Sequence, residues 1–239
     1  MKSSLQDLQR RGYIEAKDVT PYHDHTTEAL YTLLDSKEAT ERTIAVRLLT
    51  QRLGITDRNW ALHLLTQLTK EKALYTKLET CQWLEGGDAE TAEAMIPYLG
   101  MIGCNQHRVL PKRVSKKISY PLPRDIIART LGKMRPTVLP TLMAVLGSDD
   151  VARISEALDA IGFMLFYHPE SQSLMHLATI ERTMARYRHH DVILWKCVLC
   201  LSALWFAESI QTLEDVMTWG VDGVIVDEAR RSIQIIKQR

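Results

Sequence analysis

Apolar residues recur at steps of three and four along residues 150–166, and this spacing is typical of an amphipathic α-helix. The apolar stripe consists of Val151, Ile154, Leu158, Ile161 and Leu165. The polar residues Arg153, Glu156 and Asp159 fall on the other faces of the same helix. A helix with one apolar stripe must bury that stripe, so the pattern predicts a helix packed against neighbours.

The same periodicity continues along most of the chain and predicts helices in pairs. The predicted helices cover residues 28–35 with 38–53, 57–69 with 73–84, 88–96 with 124–134, 136–146 with 150–166, 171–187 with 192–206, and 210–219 with 224–237. Short polar turns separate the members of a pair. In one such turn Gly147 ends a helix, and Asp149 and Asp150 supply capping carboxylates for the next helix.

Two segments about thirty residues apart have nearly the same pattern. Residues 128–134 read ARTLGKM, and residues 158–164 read LDAIGFM. Recurrence at such a period is typical of stacked helix pairs, in which each pair buries its stripe on the next. We therefore predict an all-α fold, an α-solenoid of about five to six helix pairs, in a single domain over residues 1–239. Residues 1–25 are expected to form an N-terminal cap or a flexible segment.

The segment 124–162 resembles the bacterial HEAT-like repeat first described in phycobilisome lyases, an armadillo-type superhelix. In that family an Asp caps the second helix of a pair, a Val and an Arg follow, and an Ala-rich helix ends near Leu-Gly. The matching positions here are Asp150, Val151, Arg153, Ala157, Ile161 and Gly162. The match extends over about forty residues and weakens toward both ends. The resemblance implies a right-handed solenoid whose second helices line the concave face, and an interaction scaffold, with enzymes as a minority of the family.

Composition restricts the classes of partner. The 239 residues include 30 Lys and Arg against 29 Asp and Glu, a formal net charge of +1, which gives no global reason to expect nucleic acid or an anionic membrane. The N-terminus has no uninterrupted apolar signal region, and the longest apolar run, 192–207, is shorter than the ~20 residues that span a bilayer. Four scattered Cys also favour a reducing compartment, so we expect a cytoplasmic protein.

The sequence contains no evident catalytic set. Cys197 and Cys200 form a CxxC inside an apolar helix, without a second pair to complete a zinc site, so we expect buried thiols. The histidines in 23–25 and 189–190 favour surface or capping positions over metal binding. The sequence has no adjacent His-Glu, as iron-binding HEAT-type hydroxylases carry, and no GxGxxG, P-loop or GxSxG. We predict no metal, no cofactor and no enzymatic activity.

The regular pattern is interrupted over residues 103–123, which we call the basic loop. Pro111, Pro121 and Pro123 oppose helix formation there. The positive side chains of this loop and its border, with no acid between them, are Arg108, Lys112, Arg113, Lys116, Lys117 and Arg124. A long irregular loop of one charge sign is either a solvated, flexible insertion or a binding site for an anion or a partner. In the second case Tyr120 is a candidate stacking or anchoring residue.

The second irregularity is the predicted helix 192–206, which is largely apolar on all sides. Ile193, Lys196 and Leu204, together with Cys197 and Cys200, occupy positions that are mostly polar in the preceding pair. A helix that is apolar all round must be covered. The cover is either the C-terminal pair with neighbouring loops or a partner chain. In the second case the arginines of 182–190 would rim an apolar strip that suits an acidic, hydrophobic peptide.

These features predict a non-catalytic scaffold that binds a protein or peptide partner through its concave face and the basic loop. The candidate binding residues are Arg108, Lys112, Arg113, Lys116, Lys117, Tyr120, Arg124, Ile193, Lys196 and Leu204. The alternative is a nucleic-acid-binding or DNA-base-processing HEAT-repeat protein, which would need continuous positive charge along the concave face. We expect no membrane partner, and the oligomeric state stays open.

Overall fold

The computed structural model describes residues 4–239, which form α-helices and short 3₁₀-helices without a β-strand. The predicted all-α class is therefore confirmed. The helices are α1 (Leu5–Arg10), α2 (Ala16–Val19), α3 (Thr27–Leu33), α4 (Ala39–Leu53), α5 (Arg58–Lys70), α6 (Leu74–Glu85), α7 (Ala89–Met95), α8 (Ile126–Lys133), α9 (Leu139–Val145), α10 (Val151–Tyr167), α11 (Leu174–Arg186), α12 (Asp191–Leu201), α13 (Ala207–Val216) and α14 (Gly223–Ile236). Within this part of the chain, no helix has the length and apolarity needed to cross a membrane.

The chain divides after Met95 into two compact units. In the first unit α4 packs against α3 and α6, and α5 packs against α7. Its buried core includes Leu30, Leu49, Trp60, Leu64 and Leu84. The single domain expected from the sequence stays a prediction.

Residues 4–25 belong to the first unit and pack against its longer helices. Helix α1 contacts α4, and the backbone N–H of Tyr75 donates to the carbonyl oxygen of Arg11 at 2.8 Å. The Arg52 guanidinium donates to the carbonyl oxygens of His23 and His25 at 2.8 and 2.7 Å. Residues 1–3 of the expected N-terminal cap lie outside the described residues.

In the second unit the second helices of the predicted pairs form a row. Helix α10 contacts α8 on one side and α12 on the other, and α12 also contacts α14. The helices α9, α11 and α13 each pack against the helix that follows them. The start of α10 is fixed as the sequence predicts, because the Asp150 carboxylate accepts a hydrogen bond from the backbone N–H of Arg153 at 3.1 Å.

Helix α10 buries the predicted stripe and part of its polar face. The completely buried stripe residues are Ile154, Leu158, Ile161 and Leu165, and Val151 in the first turn is half-buried. Glu156 and Asp159 are also buried. Buried carboxylates require partners, and these come from α12.

Candidate functional site

The basic loop is irregular throughout and is anchored to α14. Arg231 is buried, and its guanidinium donates to the carbonyl oxygen of Lys117 at 2.7 and 3.1 Å and to that of Ser119 at 3.0 Å. Its third nitrogen donates to the Glu228 carboxylate at 2.6 Å. Because a guanidinium is a rigid planar fork of donors, this one side chain fixes the loop to its own helix.

Tyr120 is the second anchor of the basic loop. It is buried, its ring lies 5.8 Å from that of Phe166, and it fills the space above Gly162. A Cβ on Gly162 would lie 1.9 Å from the Tyr120 hydroxyl oxygen, so only glycine leaves room there. Burial raises the pKa of Tyr120 well above its ordinary value. This corrects the expectation that Tyr120 faces a partner, because it holds the loop against its own chain.

The positive side chains of the loop and its border are all exposed: Arg108, Lys112, Arg113, Lys116, Lys117 and Arg124. None of them forms an ion pair with another residue of 4–239. Between them lie three exposed apolar side chains, Val109 at 74%, Ile118 at 65% and Leu122 at 48% exposure. The loop therefore presents cations and apolar groups together on one anchored segment.

The expected partner-facing strip around α12 is covered by the chain itself. Ile193, Lys196 and Leu204 are completely buried, because α10, α11, α13 and α14 surround α12. These residues are therefore not exposed to a partner in this structure. Of the arginines expected to rim the strip, Arg186 pairs with Asp149, and Arg188 lies over the Trp219 ring at 4.6 Å.

Lys196 lies at the centre of a buried ionic cluster. Its Nζ atom is 2.8 Å from Glu156 Oε1, 2.9 Å from Asp159 Oδ2 and 3.1 Å from the carbonyl oxygen of Ser155. Burial alone would lower the pKa of Lys196, but the two carboxylates more than offset it, and the pKa lies above its ordinary value. Burial raises the pKa of Glu156 despite the attraction of Lys196. One cation thus compensates two carboxyl groups between α10 and α12.

A cavity of about 310 Å³ lies between the basic loop and the row α10, α12 and α14. Its exposed side carries Arg113 and Arg124, and its buried side carries Asp159, Trp195 and Glu228. Three prolines and two leucines complete most of the lining. The cavity therefore joins a cationic rim to an aromatic wall and two carboxylates.

His107 and Trp195 form the aromatic part of this cavity. Their ring centroids are 4.9 Å apart in an edge-to-face arrangement. Burial, and after it the charge of Arg124, lowers the pKa of His107, which favours the neutral imidazole. The Trp195 indole N–H lies beside the Glu228 carboxylate but makes no hydrogen bond of normal geometry.

The cysteines and histidines singled out in the sequence do not come together. Cys197 and Cys200 are buried, and burial raises the pKa of both thiols. The Nδ1 atom of His190 accepts from the backbone N–H of Ile193 and caps α12. Among the described residues, no group of three or more His, Cys, Asp or Glu side chains has a metal-binding arrangement.

We found no match to this chain among protein-family models, curated proteins or solved structures. The function is therefore inferred from the geometry of the second unit. The basic loop could be located from sequence by its charge and prolines. The cavity could not, and the acid–base pair three residues apart on α14, Glu228 and Arg231, is only an indirect signal of it.

Proposed function

We propose that the chain is a cytoplasmic HEAT-like α-solenoid scaffold that binds an acidic segment of a protein partner through the basic loop and has no enzymatic activity. The contacts of the second unit support the solenoid arrangement. Each of α10 and α12 packs on the row helices before and after it, as stacked helix pairs do when they bury their stripes on successive neighbours.

The observation that carries the proposed binding role is the combination of anchoring and exposure in the basic loop. Arg231 and Tyr120 fix its backbone, while the six positive side chains of the loop and its border remain exposed. A binding segment that is already ordered loses less conformational entropy when a partner docks. The unpaired charges attract an acidic partner and orient it during approach.

The chemistry of the loop favours a protein partner over nucleic acid. Val109, Ile118 and Leu122 lie exposed among the cations, and apolar side chains of this kind pack against apolar side chains of a protein. Sequence-tolerant binding of single strands uses aromatic side chains on which bases stack. The only tyrosine of the loop, Tyr120, is buried and serves as an anchor. The expected occupant is therefore a segment that alternates acidic and apolar residues.

A charge-reversal variant tests this proposal. Lys112, Lys116 and Lys117 are exposed and lie outside the cavity lining, so Lys112→Glu, Lys116→Glu and Lys117→Glu change the outer loop surface alone. The matched control reverses three exposed lysines of the first unit, Lys37, Lys70 and Lys72. Both variants change the net charge equally and should melt at the temperature of the unmodified protein, because exposed charges contribute ~0–1 kcal/mol each to stability.

The probe is a synthetic peptide of alternating glutamate and leucine, compared with a polyglutamate peptide and a single-stranded oligonucleotide of equal charge. We expect the glutamate–leucine peptide to bind best, its affinity to fall with rising salt, and the loop variant to lose about tenfold in affinity. The control variant should bind normally. Equal peptide binding by the loop variant and the control variant would contradict the proposal. Preferential binding of the oligonucleotide would favour the nucleic-acid alternative.

A further inference from the structure

The cavity under the basic loop has the dimensions and the fixed walls of a small-molecule site. Its volume of about 310 Å³ falls at the lower end of the range common for ligand pockets, ~300–1,000 Å³. One wall consists of packed helices. The other wall is the basic loop, which Arg231 and Tyr120 hold in place. The site is thus formed before any ligand arrives.

The buried side of the cavity is suited to a planar ring that carries N–H donors. Asp159 is ion-paired with Lys196, and Glu228 with Arg231, so neither carboxylate requires a further cation. Each carboxylate still has acceptor positions, because two oxygens offer about four lone pairs. Trp195 supplies an apolar aromatic surface beside them.

The exposed side is suited to an anion. Arg113 and Arg124 line the rim, and neither forms an ion pair within residues 4–239. A pair of guanidinium groups is well matched to the oxygens of a phosphate. The cavity therefore separates a site for ring donors from a site for negative charge.

We propose that this cavity binds a free purine nucleotide, with the base against Trp195 and the carboxylates of Asp159 and Glu228, and with the phosphate at Arg113 and Arg124. A purine base offers a flat aromatic surface for Trp195 and an exocyclic amino donor for the carboxylate acceptors of the buried side. This site shares Arg113 and Arg124 with the exposed cations of the proposed partner surface, whereas Lys112, Lys116 and Lys117 of that surface lie outside the cavity lining.

Isothermal titration calorimetry on the whole chain tests the proposal with adenosine and guanosine 5′-monophosphates, the two nucleosides and inorganic phosphate. We expect a purine monophosphate to bind better than its nucleoside and better than phosphate. The double variant Arg113→Gln with Arg124→Gln should lower the affinity for the monophosphate by about tenfold or more and leave the affinity for the nucleoside unchanged. Both residues are exposed, so circular dichroism should show unchanged melting.

The matched control is Lys112→Gln with Lys116→Gln, which removes two neighbouring charges that do not line the cavity. It should retain full nucleotide affinity. An equal loss of nucleotide affinity in the control would show that the loop attracts anions in general, and it would overturn the proposal. Equal affinities for phosphate and for the nucleotide would have the same meaning. Tighter binding of a short single strand than of the mononucleotide would also overturn it. Glutamate–leucine peptide binding is measured on the same variants, so failure of one proposal is visible separately from failure of the other.

Discussion

Lys196 gives the otherwise apolar helix α12 an ionic contact with α10. A completely buried ammonium group is strongly unfavourable unless it is paired and hydrogen-bonded, and here Glu156, Asp159 and the carbonyl oxygen of Ser155 surround it. The residue therefore joins α12 to α10 through charge and not through apolar packing. Removal of the lysine would leave two buried carboxyl groups without their cation.

We expect Lys196→Met to destabilise the protein by about 3–5 kcal/mol, because the loss of one partner leaves buried charge uncompensated. Urea denaturation followed by circular dichroism measures this change. Adding Glu156→Gln and Asp159→Asn to Lys196→Met should restore most of the loss, since no uncompensated charge then remains. A loss that persists in the triple variant would mean that packing of the lysine stem, and not charge, is what matters.

Gly162 and Tyr120 should act as one unit. In Gly162→Ala the new Cβ would overlap the Tyr120 ring, so we expect destabilisation of about 1–3 kcal/mol and faster proteolysis of the basic loop. Tyr120→Ala should cost ~3–5 kcal/mol, because it truncates a buried aromatic side chain. Combining the two substitutions should cost clearly less than the sum of the single losses, since residues in contact are coupled. Strict additivity in this double-mutant cycle would contradict the contact.

At the scale of single elements, α10 is the clearest core helix of the second unit. Leu158→Ala should cost ~2–5 kcal/mol, because Leu158 is completely buried in the predicted stripe. Met175→Ala on α11 is the matched control, since Met175 is 71% exposed and should change stability by less than about 0.5 kcal/mol. Chemical denaturation of both variants decides whether the stripe faces the core.

The thiols of α12 should be inert while the helix is covered. Cys197 and Cys200 are buried and their pKa values are raised, whereas Cys104 in the basic loop is exposed. A thiolate-specific reagent should therefore modify Cys104 rapidly and reach the α12 thiols only at the rate of unfolding. Mass spectrometry of the digested protein locates the modified sites. Rapid labelling of Cys200 would show that α12 opens in the native state.

Local periodicity was sufficient to predict α10, its cap and its stripe, because those features depend on residues within a few turns. Periodicity was not sufficient to predict which residues pair with the polar face of α10. Lys196 meets Glu156 across 40 residues, and Arg231 meets Lys117 across 114 residues. The exposed cations of the basic loop could be found from charge alone. The cavity depends on those distant contacts, so the pattern of one segment contains no direct sign of it.

At the scale of the whole molecule, buried carboxyl groups link stability to pH. Burial raises the pKa of Asp125, Glu156 and Glu228, so the folded state holds protons that the unfolded chain has already released. Such a contribution to stability is fully present below the ordinary pKa and is lost as the pH rises through the folded value. These three groups therefore favour the fold more at mildly acidic pH than at neutral pH.

We expect the stability difference between the unmodified protein and Glu156→Gln to shift in favour of the unmodified protein as the pH is lowered from neutral toward 4.5, the ordinary pKa of glutamate. Urea denaturation over this pH range measures the difference. The exposed substitution Glu214→Gln serves as the control and should show no such trend. A difference for Glu156→Gln that moves the other way with pH would show that the Lys196 attraction outweighs burial.

The anchoring of the basic loop by Arg231 also bears on the order in which parts of the second unit fold. The loop ends before α8 in the sequence, yet the side chain that holds its backbone arrives with α14, 114 residues after Lys117. Closing a contact over so long a separation is slow compared with packing of neighbouring helices. The row α8, α10 and α12 can therefore assemble while the loop is still loose. We therefore expect the cavity to form late in folding, when α14 packs against α12 and Arg231 binds the loop.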